Sequence, residues 1–176
     1  MFCTNFAEVA FSSMTGRIRG FLFNIAVAMT FSFVMGSSPT APAQSGFHVN
    51  KNLYSETADS ANEIDTAKRV ARRDHKHILL DFGGNWCSDC QVLDFYYHQA
   101  PNAELLAKYY VVVHVDIGHM DHNLNIAAKY HVPIAKGVPA LAVLDANGNL
   151  LYSEHEKEFE HSSPGVITAF LKRWKA

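Results

Sequence analysis

Charge of either sign is nowhere in excess. The 176 residues carry 15 Lys+Arg against 17 Asp+Glu, a formal net charge of -2 with a pI near 6.5. No basic surplus points to a nucleic-acid partner, and no acidic run forms a tail. Internal repeats are absent. No apolar run reaches the roughly 20 residues that a membrane-spanning helix needs. Cysteine is scarce, at three residues: Cys3, Cys87 and Cys90. What the chain does have is a 48% hydrophobic content with 18% charged residues, enough apolar matter for a packed core in one domain.

Lysine is missing from residues 1–43, which hold two arginines, Arg17 and Arg19. The run GFLFNIAVAMTFSFVMG follows, then SSPTAPAQS. A basic stretch, an apolar stretch and a small-x-small site are the parts of a secretory signal peptide. Residues 1–43 are therefore expected to be a signal peptide cleaved before Gln44, with Met14 as an alternative start. The competing reading is an uncleaved segment, the one route by which this chain would touch a membrane. Cleavage leaves 133 residues with 13 Lys+Arg against 16 Asp+Glu. Cys3 departs, and Cys87 and Cys90 are left with only each other in an exported, disulfide-permitting compartment, most simply a periplasm.

Residues 44–54 read as a linker or extended arm, and 55–176 as the folded domain. Ala58, Ala61, Ile64 and Ala71 recur at helical spacing within 55–75, with Ser55 as the expected N-cap. HILLDFG (77–83) and VVVHVDI (111–117) are continuous apolar runs suited to buried strands. Helical patterns follow the cysteines up to Pro101, resume over AELLAKYY, and recur at 122–132 until Pro133. ALAVLDANGNLLYS reads as a hairpin turning at Asn147-Gly148. A last helix runs from Pro164 to Trp174, with Val166, Ile167, Phe170, Leu171 and Trp174 on one face. The order α-β-α-β-α-β-β-α predicts an α/β fold with a small mixed sheet flanked by helices.

Two cysteines at C-x-x-C have three readings. Half a zinc site needs a second ligand pair, which the scattered histidines do not supply. An inert disulfide closing so small a ring constrains the unfolded chain little. A redox dithiol is the reading the position favours. The pair follows a buried strand and opens a helix, whose N-terminal amides and dipole favour a thiolate at Cys87. Asp89, between the two, sets a like charge against that thiolate. The two influences nearly cancel, which predicts a reducing or isomerising pair rather than a strong oxidant.

LLDFGGNWCSDC resembles the strand and active-site loop of the thioredoxin superfamily, and KGVPALAVLDANGNLLY resembles its second signature, a cis-proline loop followed by a hairpin. The resemblance covers about residues 55–175. It implies a thioredoxin fold and an exported thiol-disulfide oxidoreductase acting on protein disulfides or dithiols, resupplied by an upstream thiol reductant and needing no cofactor or metal. On the matching positions it implies Cys87 as nucleophile and Cys90 as resolving cysteine. Trp86 would pack beside the pair. Pro139 would be the cis-proline, and Val138 would offer its backbone to a substrate strand. Asp81, six residues before Cys87, would be a buried acid taking the Cys90 proton through water. The pattern departs from typical thioredoxins in Ser88-Asp89 between the cysteines, in the paired glycines Gly83 and Gly84, which would loosen the loop or leave room for a partner, and in a longer VPIAKG stretch. The alternative function is a non-catalytic module that handles copper or docks a partner, with His119 and His122 beside Asp116 or Asp121 as candidate ligands. Copper-handling relatives space their cysteines by three residues, unlike this chain. His114, in mid-strand, is expected to be packed or edge-exposed. Of Phe95, Tyr96 and Tyr97, one ring is expected outside.

Overall fold

The structure, a computed structural model, describes residues 46–176. The expected signal segment, its alternative start at Met14 and the expected cleavage site lie outside the described residues. Chain order within them is α1 (Ser60–Asp74), β1 (His77–Gly83), α2 (Ser88–Tyr97), α3 (Asn102–Tyr109), β2 (Tyr110–Asp116), α4 (Leu124–Lys129), a 3-10 turn (Ile134–Lys136), β3 (Ala140–Leu144), β4 (Leu150–Ser153) and α5 (Pro164–Arg173).

The strands form one mixed sheet in the order β2-β1-β3-β4. β1 runs parallel to β2 and antiparallel to β3, and β3 pairs antiparallel with β4. All of β1 after His77 is buried, as a strand packed on both faces must be. One apolar cluster joins Ile64, Ala67 and Ala71 of α1 to Ile78, Leu80 and Phe82 of β1 and to Ile126 and Ala127 of α4. On the other face Leu79, Leu141 and Val143 pack with Leu93, Leu106, Ile167, Phe170 and Leu171 from α2, α3 and α5. This is the expected α/β thioredoxin fold, a small mixed sheet flanked by helices.

Several boundaries differ from the sequence expectation. α1 begins five residues later than Ser55, because the Asp59 side chain accepts the Asn62 N–H at 3.1 Å and caps it. The residues before it do other work. The arm expected over 44–54 is hydrogen-bonded to the domain at Asn50 and enters the core at Leu53 and Tyr54. Two reciprocal side-chain clamps hold it. Gln91 bonds both the N–H (2.7 Å) and the carbonyl (3.0 Å) of Asn50, and Asn85 does the same to Tyr54, at 2.9 Å each. The hairpin turn spans Asp145 to Gly148 rather than two residues, with the Asp145 carboxylate accepting the N–H groups of Asn147 and Asn149. In α5 Ile167, Phe170 and Leu171 face inward as expected, while Val166 is exposed. Tyr97 is buried, and Phe95 and Tyr96 are both half-buried, so no ring of that run stands fully outside.

Candidate active site: a buried dithiol on a helix N-terminus

β1 delivers the chain through Gly83–Trp86 to the first turn of α2. Cys87 is the N-cap of that helix, and its sulfur accepts the Cys90 N–H at 3.1 Å. Cys87 and Cys90 are joined as a disulfide, with Cα atoms 5.3 Å apart. Their exposure is unequal. Cys87 keeps 5% and Cys90 none, so an incoming sulfur can reach only Cys87.

Facing the pair is the loop before β3. The Val138–Pro139 bond is cis, as the resemblance implies, and the Val138 carbonyl oxygen lies 3.5 Å from Cys87 Sγ. A second cis bond, Ala100–Pro101, separates α2 from α3. Trp86 is half exposed. Its Nε1–H donates to the Gly118 carbonyl at 2.6 Å, and its ring stacks on His119 at 5.9 Å. The indole is thus tied to the loop after β2, a contact that no local pattern in the sequence announces.

The two glycines do not make room for a partner. A Cβ on Gly83 would run into the Tyr54 hydroxyl and sit 2.8 Å from Cys90 Sγ, and one on Gly84 would sit 2.6 Å from Trp86 Nε1. The space is already filled by the protein's own side chains.

Asp81 is fully buried, as expected. Oδ1 accepts the Tyr54 hydroxyl at 3.0 Å, and His114 Nδ1 lies 3.2 Å from Oδ2. The Tyr54 and His114 rings meet edge to face at 5.4 Å. Burial, with the Asp81 charge, holds the Tyr54 phenol well above its usual range. Burial pulls the His114 imidazole down, but the Asp81 hydrogen bond and charge outweigh it and leave the ring raised. The sequence pattern pairs Asp81 with neither residue: His114 reads only as a mid-strand residue, and Tyr54 as part of the arm.

The histidine cluster after β2 is a set of local contacts. Asp116 accepts from the Gly118 N–H at 3.1 Å, and His122 Nδ1 lies 3.4 Å from the same carboxylate. Asp121 accepts the His119 N–H at 2.9 Å. Among the described residues no three His, Cys, Asp or Glu side chains converge as a metal site. Asp89, at the start of α2, has a partner the sequence did not reveal: His161 Nδ1 at 3.2 Å, from the loop before α5.

A C-x-x-C disulfide at a helix N-terminus, faced by a cis-proline loop on this fold, is the arrangement of a thiol-disulfide oxidoreductase. Comparison with known proteins agrees. Residues 59–146, half the chain, match the model of the thioredoxin-like family, and the chain belongs to that family. A thioredoxin from Buchnera aphidicola subsp. Baizongia pistaciae is 35% identical over 78 residues, a match that spans 42% of this chain and 61% of that protein's length. The crystal structure of a disulphide isomerase from Xylella fastidiosa Temecula1 is similar with a TM-score of 0.65 and 35% identity, over 69% of this chain and 95% of that one.

Proposed function

We propose that this protein is an exported thiol-disulfide oxidoreductase that reduces or rearranges disulfides of protein substrates through Cys87 and Cys90. The observation that carries the reading is the asymmetry of the pair: one sulfur at the helix N-terminus and reachable, the other wholly buried. Cys87 thiolate attacks a substrate disulfide, forming a Cys87–substrate disulfide and expelling the first substrate thiolate. Cys90 then attacks Cys87 Sγ, the bond to substrate breaks, and the second substrate sulfur leaves as a thiol. The Cys90 N–H bond to Cys87 Sγ and the N-terminus of α2 favour the thiolate. Val138 presents its backbone beside Cys87, with Pro139 shaping that loop and Trp86 flanking it, so an extended substrate strand lies across these three residues. Asp81 takes the Cys90 proton. An upstream thiol reductant returns the pair to the dithiol.

Export rests on residues 1–43, whose composition is that of a cleaved signal, and places the protein in a periplasm or outside the cell. The similarity to the Xylella disulphide isomerase supports work on the reducing or isomerising side, as does the like charge of Asp89. The test is trapping. Cys90→Ala should hold partners as mixed disulfides released by reductant, and Cys87→Ala should hold none. Equal trapping by the two variants would refute the assignment of roles. N-terminal sequencing of the secreted or periplasmic form should begin at Gln44.

A further inference from the structure

Cys90 must lose a proton before it can attack, yet its sulfur, the Asp81 carboxylate and the Tyr54 ring are all shut off from solvent, with exposures of 0%, 0% and 1%. None of the three is open to bulk water in the oxidised fold. The space next to Gly83 is shared by the Tyr54 hydroxyl and Cys90 Sγ, and a methyl group there would strike both. The same hydroxyl donates to Asp81 Oδ1 at 3.0 Å, which leaves its oxygen lone pairs facing outward from that bond. On the far side of Asp81 stands His114, whose side chain keeps 27% exposure. It lines an open cavity of about 370 Å³ beside Ser55, Asn62 and Glu63. Cys90 Sγ and the Tyr54 hydroxyl flank one spot beside Gly83, and hydrogen-bond contacts run on from Tyr54 through Asp81 to His114 at the cavity.

We propose that Tyr54 is a catalytic residue that carries the Cys90 proton to Asp81, and that His114 positions Asp81 and passes the proton out to the cavity. The inference rests on the roles of Cys87 and Cys90 proposed above. In the resolving step Cys90 Sγ forms the bond to Cys87 Sγ as the Cys87–substrate bond breaks, and the substrate sulfur departs with that electron pair. The Cys90 proton moves to Tyr54 Oη while the tyrosine's own proton moves to Asp81 Oδ1. The two cysteines lose two electrons and the substrate disulfide gains them. The departing thiolate takes a proton from water. Asp81 returns its proton to solvent through His114. In the reverse direction the same line protonates the Cys90 thiolate as it is released. The phenol is suited to relaying rather than ionising, since burial and the neighbouring carboxylate hold its proton well above the usual range.

The line is held rigidly. Asn85, two residues before Cys87, clamps both backbone groups of Tyr54. The strand register sets His114 directly opposite Asp81. Other titratable groups face this centre from α2, namely Asp94 and Tyr97, and from α1, Glu63.

The experiment uses the reduced full-length protein and Ellman's aromatic disulfide. Attack by Cys87 releases one coloured thiolate and resolution by Cys90 releases a second, read at probe concentrations where the second phase no longer depends on the probe. Tyr54→Phe keeps the ring and removes only the hydroxyl. It should slow the second phase about 100-fold near pH 7, the lower end of the range for a proton-transfer group, with the deficit shrinking as hydroxide takes over at high pH. His114→Gln keeps a donor to Asp81 but does not titrate, and should move the acid limb of the second phase to higher pH. A second phase in Tyr54→Phe within twofold of wild type across the pH range, or slowed equally at every pH, would overturn the relay. So would an unmoved acid limb in His114→Gln, a readout that stands even if Tyr54→Phe does not fold. A second phase that persists in Cys90→Ala would overturn the underlying assignment of Cys90 instead.

Discussion

Glu154 directly follows β4 and is 2% exposed. Its backbone N–H donates to the Leu141 carbonyl at 2.9 Å, and its carboxylate accepts the Leu141 N–H at 3.0 Å. Leu141 lies two residues after Pro139, so this pair anchors the start of β3 and the loop that faces the dithiol. Burial pushes the Glu154 carboxyl up to about 7, against backbone N–H groups of Leu141, Glu158 and Phe159 that favour the charged form. The folded protein therefore binds this proton more tightly than the unfolded chain does. The resulting stabilisation is complete below the ordinary value of 4.5 and is lost as pH rises through about 7. At about 1.4 kcal/mol per pH unit, the loss amounts to about 3 kcal/mol. Glu154→Gln keeps an acceptor for the Leu141 N–H and removes the titration. Urea unfolding of the oxidised wild type and variant at about pH 4 and about pH 8 should show the variant gaining about 3 kcal/mol on the wild type between the two. Other titrating groups cancel in that difference, as does any fixed cost of the amide. A gap between the two proteins that stays constant within about 0.5 kcal/mol, or that moves the other way, would refute the reasoning.

Gly83→Ala forces a methyl group against the Tyr54 hydroxyl and Cys90 Sγ. Denaturant unfolding should show a loss of about 1–3 kcal/mol, as for overpacking elsewhere. Asp89→Asn removes a like charge from the neighbourhood of Cys87 and should make the pair more oxidising in a glutathione equilibrium. His161→Ala, which strips Asp89 of its partner 3.2 Å away, should make it more reducing. Each shift should fall within about 20 mV, because an exposed ion pair is worth less than about 1 kcal/mol. Shifts of the same sign in the two variants would refute the electrostatic account.

The sequence alone determined the frame. A C-x-x-C after a buried apolar run and before a helical pattern already states strand, turn, helix and dithiol, because local periodicity and cysteine spacing are local properties. The same holds for the two parallel-type strands, the hairpin and the closing helix. Val138-Pro139 was legible as the facing loop only through resemblance, since nothing local brings it to Cys87. The tertiary structure decided what surrounds the sulfurs. Ser55 looked like a helix cap, but Asp59 takes that role because Leu53 and Tyr54 are drawn into the core ahead of it. Gly83 and Gly84 looked like slack in a loop, and are instead the places where Tyr54, Cys90 and Trp86 fit. Asp81 was legible as a buried acid from its apolar neighbours. Its two partners were not, because His114 meets it through the β1–β2 register and Tyr54 through a 27-residue return of the chain. Side-chain pairing across strands, and packing between segments distant in sequence, depend on how the sheet is assembled, which no local pattern contains.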